Sequence, residues 1–254
     1  MKEDIVPAKV DKAVFVVAPI VVFVSALMVY VCIPFGRGMI VKDLNIGILY
    51  ILAITTFTVV GLLMAGFGSN NKYSLLGGLR SAAQIVSYEV PLTLSVLGVV
   101  MLAQSLSMVT IVTTQAHFWE WFIFRQPVGF LIYLTAAVAE VNRTPFDIPE
   151  AEQELVAGYN VEYSGMKFAM FFFAEYANLF TISAVTTTLF LGGWNGPFLP
   201  SWIWFLGKTF FVILVIMWFR WTYPRIRVDQ LMGFAWKFLL PLAFLNLIVT
   251  GLLA

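Results

Sequence analysis

Seven apolar runs, bounded by polar clusters and mostly about 20 residues long, dictate what this chain can fold into. They lie at about 13–33, 45–67, 83–106, 127–141, 165–191, 202–219 and 231–253. A membrane-spanning β-strand would alternate polar and apolar positions over about 10 residues. Runs such as Ala13–Ile33 do not alternate, so the pattern predicts an all-α polytopic transmembrane bundle with seven spans. The 127–141 run is short and ends on Glu140, which leaves its membrane boundary the least defined. Composition agrees: 61% of residues are hydrophobic and 11% charged, against about 25% charged in soluble domains. The whole of 1–254 reads as one integral membrane domain.

Positive charge sets the expected orientation. With the N-terminus inside, the inner segments carry Lys2, Lys9, Lys12, Lys72, Arg80, Arg143, Lys167, Arg220, Arg225, Arg227 and Lys237. The outer side receives Arg37, Lys42, Arg125 and Lys208, so eleven of the 15 Lys and Arg fall inside, as the positive-inside rule requires. Seven crossings leave the C-terminus outside. A polar loop at 141–164 and a basic one at 220–230 both fall on the inner face.

Several classes are excluded. One Cys (Cys32) and one His (His117) cannot build an iron–sulfur cluster, a zinc site or a bis-histidine haem. Cys32 ends an apolar helix and reads as packing; His117, in the aromatic loop AHFWEWF, reads as an interfacial residue. Any electrons must arrive from partner subunits. There is no G-x-x-x-x-G-K-[ST] or G-x-G-x-x-G signature for a nucleotide, no cleavable leader pattern, and nothing that points to nucleic acid.

The chemistry concentrates in EVNRTPFDIPEAEQE at 140–154, which holds Glu140, Asp147, Glu150, Glu152 and Glu154, five of the chain's 14 acidic residues. Asp147-Ile148-Pro149-Glu150 fits a capping box that opens a short helix, which accounts for Asp147 and Glu150. It accounts less well for Glu154 and Glu162. Glu150 and Glu154 stand at i, i+4, where like charges repel, so a basic partner or a water-filled cavity is expected near them. Three further positions are intramembrane or nearly so: Glu89 two residues before Pro91, Glu140 at the end of the fourth run, and Glu175 about ten residues into the fifth. A single buried carboxyl can be a neutral acid with a hydrogen bond. Three on the inner half of one bundle, none read as having a Lys or Arg nearby in sequence, suit proton movement better, because burying each is costly. Arg220, Arg225 and Arg227 either anchor the chain at the head groups or face carboxylates of the loop or of a partner, for which Arg is well suited.

These residues resemble a known family. AEVNRTPFDIPEAEQELVAGYNVEYSGMKFAMFFFAEYANLF at 139–180, KEDIVPAKVDK at 2–12, NKYSLLGGLRSAAQIVSYEVPL at 71–92 and RWTYPRIRVDQLM at 220–232 resemble the quinone-chamber membrane subunit of respiratory complex I, the H subunit of NADH–quinone oxidoreductase and its mitochondrial subunit 1 relatives. The resemblance implies a non-redox subunit in a bacterial inner or mitochondrial inner membrane. It implies quinone as the substrate shared with partner subunits, with no metal or flavin in this chain. It implies partners too: the quinone-site and iron–sulfur subunits of the peripheral arm, small and antiporter-like membrane subunits, and lipid. Carried over by motif, Glu89, Glu140 and Glu175 become proton-path carboxylates, and Asp147, Glu150, Glu152, Glu154 and Glu162 the acidic coupling loop. Lys2, Glu3, Asp4, Arg80, Tyr176, Arg220, Arg225 and Arg227 fall to the quinone chamber or the peripheral-arm interface. The family has a further N-terminal transmembrane helix and an amphipathic helix before the KED segment, so seven spans stand where eight are usual, and the resemblance implies a truncated sequence. The nearest rival is the homologous anchor of a membrane-bound hydrogenase. A free-standing transporter would show an inverted repeat, and none is detectable; a purely structural anchor would tolerate neutralised glutamates.

Overall fold

The computed structural model describes residues 3, 5–147 and 158–253. Lys2, Asp4, Glu150, Glu152 and Glu154, together with the helix expected from Glu150 onward, lie outside them. Among the described residues every regular element is helical. In chain order they are α1 (Lys12–Met28, extended by a 3₁₀ turn Val29–Cys32), α2 (Gly47–Gly68), α3 (Lys72–Ala103), α4 (Met108–Thr113), α5 (Phe122–Arg125), α6 (Pro127–Glu140), α7 (Gly165–Phe190), α8 (Ser201–Thr222), α9 (Val228–Phe234) and α10 (Leu240–Leu253). Six stretches are long and apolar enough to cross a membrane, and α6 is a shorter apolar helix. The chain is an all-α integral membrane protein.

Two boundaries differ from the apolar pattern for physical reasons. α3 begins at Lys72, eleven residues before the expected span. Asn71 caps it by accepting from Tyr73 N–H at 3.0 Å, and the added turns bury Ser74, Gly77, Gly78 and Ser81 rather than large side chains, so hydropathy misses them. The helix runs on through Pro91 and stops at Gln104, whose φ is 51°. The segment expected to be a plain outer loop, 107–126, holds α4 and α5 and buries Met108, Ile111, Val112 and Phe122. Between α9 and α10, residues Ala235–Leu239 form a π turn. Pro241 follows and has no N–H for the carbonyl of Lys237, which explains a loosened turn there.

Connections gather at two ends of the bundle. At one, the 5–11 segment meets 69–71 and 158–164 through Ile5 N to Ser164 Oγ (3.0 Å), Asn70 Nδ2 to Lys9 O (2.9 Å) and Asn71 Nδ2 to Glu162 Oε1 (2.8 Å). At the other, Ser107 Oγ donates to Asp43 (3.0 Å) and Asn195 Nδ2 donates to Val112 O (2.8 Å). Helix association in lipid relies on close packing rather than on expulsion of water. α8 turns Phe210, Phe211, Leu214, Trp218 and Trp221 outward, as a lipid-facing helix should. Inside, Ser183, Thr186, Thr187 and Thr209 are fully buried, and each donates to the carbonyl four residues earlier, so these hydroxyls need no partner helix.

Among the described residues the tightest approach of a helical glycine to neighbouring backbone is at Gly77, where an added Cβ would lie 2.6 Å from Gly158 Cα and 2.9 Å from Tyr159 N. Backbone cannot yield there as a side-chain tip can. Gly77→Ala is expected to destabilise the purified protein by about 2 kcal/mol and to lift the 158–163 turn off α3. Thermal inactivation and protease cutting of that turn, compared with the parent protein, check this; unchanged values would mean the approach is looser.

Candidate functional site

The site forms where α6 ends. Pro127 opens α6 at a position that tolerates a missing N–H, and the helix closes on Glu140, after which Asn142 turns the chain with φ 53°. Asn accepts this left-handed geometry better than most residues. Gln84, buried on α3, ties the turn down by donating to Ala139 O at 2.8 Å and Phe146 O at 2.7 Å. Glu140 is thereby held half-buried at the join of helix and loop.

Two other helices complete the polar surroundings of Glu140. α7 presents Glu175, Asn178 and Thr181 at three-residue intervals, which puts them along one face; α2 presents Thr55 and Thr58. With Glu140 and Asn142 they line a cavity of about 40 Å³, room for a few water molecules. Asn142 Oδ1 is buried with no partner among the described residues. A second cavity of about 20 Å³ shares Glu140, Thr55 and Thr181 and adds Tyr133, then Ile48, Leu92 and Leu189. Ile48 and Leu189 stand near the far ends of their helices, so this space leads away from the acidic loop. Glu140 is the carboxylate common to both cavities.

The other expected residues distribute unevenly. Glu89 lines neither cavity. It accepts a hydrogen bond from Thr56 Oγ1. Glu175 has a basic partner that its sequence surroundings do not show: Arg143 Nη2 lies 2.9 Å from its Oε1, with side-chain exposures of 8% and 14%. The guanidinium also sits 4.9 Å from the ring centre of Tyr176, which is 43% exposed. The partners are 32 positions apart in sequence, so only the fold brings them together.

Asp147 is paired with Arg225 at 2.8 Å, and Ile226 N–H donates to Pro145 O at 3.1 Å; the basic segment therefore packs on the first part of the acidic one. Arg220 and Arg227 are exposed at the same end, as is Glu3, while Arg80 is half-buried on α3. Glu162 holds Asn71, the cap of α3, and stands apart from the cavity. Beside it Tyr163 stacks on Phe15 at 4.2 Å, and burial pushes its phenol pKa up, keeping it neutral across the physiological range. His117 is exposed and Cys32 buried. Among the described residues no group of three His, Cys, Asp or Glu is placed to hold a metal.

Sequence reasoning missed Arg143, counted only as an inner-side charge, and the polar lining from Thr55, Asn142, Asn178 and Thr181. A usable signal was present for two of these, since Glu175, Asn178 and Thr181 recur at helical spacing.

Comparison with known proteins supplies a frame for this geometry. A model of the NADH dehydrogenase family matches residues 1–251. The NADH-quinone oxidoreductase H subunit of Dehalococcoides mccartyi strain CBDB1 is 57% identical over 251 residues, covering 99% of this chain and 70% of its own length. The H subunit of Carboxydothermus hydrogenoformans is 52% identical over 254 residues, covering 98% and 72%. That of Geobacillus kaustophilus is 52% identical over 255 residues, covering 99% and 76%.

Proposed function

The chain belongs to the family of NADH-quinone oxidoreductase H subunits, and from that premise we propose that it forms part of the quinone chamber of the complex and couples quinone reduction to proton translocation. The observation that carries the coupling role is Glu140 at the junction of two small cavities, one opening toward the acidic loop and one leading along the bundle. Asn142 Oδ1, buried without a partner among the described residues, fits a lining wetted by water. A carboxylate that borders a polar cavity on one side and a narrow space along the bundle on the other is placed to take a proton from the first and pass it toward the second.

The quinone itself belongs elsewhere. Ligand pockets usually measure about 300–1,000 Å³, far more than the roughly 40 Å³ beside Glu140. We place the chamber at the acidic-loop end, where Glu3, Arg80, Tyr176 and the 220–227 arginines stand with the 158–164 turn, and where iron–sulfur and quinone-site subunits would complete it. Lys2, Asp4, Glu150, Glu152 and Glu154 are assigned to the same end. Electrons reach quinone from those partners, this chain contributing no redox group. The small and antiporter-like membrane subunits would receive the proton signal, with the acidic-loop end on the cytoplasmic or matrix side and the C-terminus outside.

Purifying the complex through this subunit and reconstituting it in liposomes tests the proposal. NADH-driven quinone reduction accompanied by proton movement, abolished by a protonophore, is the expected result. Quinone reduction without proton movement would remove the coupling role, and hydrogen evolution with no quinone dependence would favour the hydrogenase-type anchor.

A further inference from the structure

The ion pair between Arg143 and Glu175 changes what Glu175 can do. A carboxylate 2.9 Å from a guanidinium, with both side chains largely buried, is engaged with a fixed positive charge. Yet the pair is not locked: among the described residues Arg143 Nε and Nη2 have no acceptor in hydrogen-bonding alignment. In the same turn, Asn142 Oδ1 and Asp147 Oδ1 lack donors among the described residues. A buried guanidinium with unsatisfied N–H groups next to acceptors without donors has a second arrangement close at hand.

The turn that carries Arg143 has two attachments. Gln84 fixes its ends to α3 through Ala139 O and Phe146 O. Arg225, half-exposed at the acidic-loop end, grips Asp147, and Ile226 grips Pro145. A displacement of the 225–226 segment therefore pulls directly on the turn and on Arg143. The ionisable groups within reach are Glu140 on α6, Glu175 on α7 and Glu89 on α3, while α2 contributes the hydroxyls of Thr55 and Thr58.

Resting on the coupling role above, we propose that Arg143 is a positioning residue that holds Glu175 as an ionised carboxylate, and that movement of the 141–147 turn withdraws it so that Glu175 accepts a proton from the cavity it shares with Glu140. The proton comes from Glu140 or from water in that cavity and goes to a Glu175 oxygen. The guanidinium keeps its charge and turns toward Asp147.

The test uses the assembled enzyme in membrane vesicles. NADH oxidation by a water-soluble artificial acceptor measures assembly; quinone-dependent turnover and protons moved per quinone reduced are the readouts. Arg143→Gln is expected to lower coupled proton movement by about tenfold, and in a Glu175→Gln background to add no further loss, because the two residues act as one unit. Arg143→Lys keeps the charge and is expected to restore most of the coupling. Losses that multiply, a native proton ratio in Arg143→Gln, or no rescue by Lys would each overturn the proposal. Should Arg143→Gln fail to assemble, Arg225→Gln, on the exposed side of the Asp147 contact, carries the same comparison. A loss of coupling that disappears in the Glu175→Gln background supports the proposal; no loss, or the same loss in both backgrounds, overturns it. Native coupling in Glu140→Gln would instead remove the carboxylate path itself.

Discussion

Glu140→Gln is expected to abolish proton movement and to slow quinone-dependent turnover by about a hundredfold, the scale of losing a positioned proton-transfer group, in an enzyme that still assembles. Gln matches Glu in shape and fills the same space at the end of α6, so the packing of Ala136–Ala139 against α3 is kept. What it cannot do is bind and release a proton between the two cavities it borders. The other two glutamates provide internal controls. Glu175→Gln strips Arg143 of its counter-charge in a buried setting, which costs about 3–5 kcal/mol, so it is expected to lower thermal stability as well as coupling. Glu89→Gln retains an acceptor for Thr56 Oγ1 and lines neither cavity, so its loss of turnover should be the smallest of the three. Turnover assayed with quinone, set against NADH oxidation by an artificial acceptor and a melting curve, separates these outcomes. If all three variants pump normally, the chain is a structural anchor.

The helical bundle was legible because hydropathy is a one-dimensional property: twenty apolar residues in a row have few other uses. It failed where helices are built from small residues. The first turns of α3 bury Ser74, Gly77, Gly78 and Ser81, which carry little hydropathy but allow close backbone approach. The candidate carboxylates were equally legible, since an ionisable group inside an apolar run is conspicuous. Their partners were not. Arg143 looked like one more inner-side charge because its pairing with Glu175 depends on how α6 and α7 are juxtaposed. Thr55 and Thr181 looked like ordinary span residues, since a hydroxyl in a helix is unremarkable until a cavity forms beside it. Lys208 is a related case. It was counted only among the outer-side charges, and its place near a span end does not reveal that the structure buries it to 9% exposure.

That burial leads to an equally large expected effect on stability: Lys208→Met should destabilise the protein by about 3–5 kcal/mol, the cost of leaving three buried carbonyls without their charged donor. The Lys208 ammonium has three N–H bonds and uses all of them, donating to Leu191 O at 2.7 Å, Gly193 O at 3.1 Å and Asn195 O at 2.8 Å. It also sits 4.2 Å from the ring centre of Trp121 and 5.8 Å from that of Trp204, each a favourable face for a cation. The three carbonyls belong to the turn after α7, where Gly192 and Gly193 take positive φ. An added Cβ at Gly192 would lie 2.5 Å from Trp121 Nε1. The rest of that turn is satisfied by Gln115, which accepts from Gly192 N–H at 3.1 Å and Phe122 N–H at 3.2 Å and donates to Thr188 O at 3.0 Å. Irregular backbone at this end of the bundle is tolerated only because each polar group has a partner inside the protein. Hydrogen bonds between membrane helices often contribute less than 1 kcal/mol, because the separated helices find other partners. Carbonyls pinned in a glycine turn under two tryptophans have no such alternative, which is why the larger figure is expected here. Lys208→Arg should rescue incompletely, since a flat five-donor fork does not reproduce three convergent bonds from one nitrogen. Melting temperatures of the parent, Met and Arg forms decide the matter. A Met form that melts with the parent would show that the turn keeps its shape without the ammonium, and Lys208 would then be a tolerated charge rather than the fastening of α8 to the end of α7.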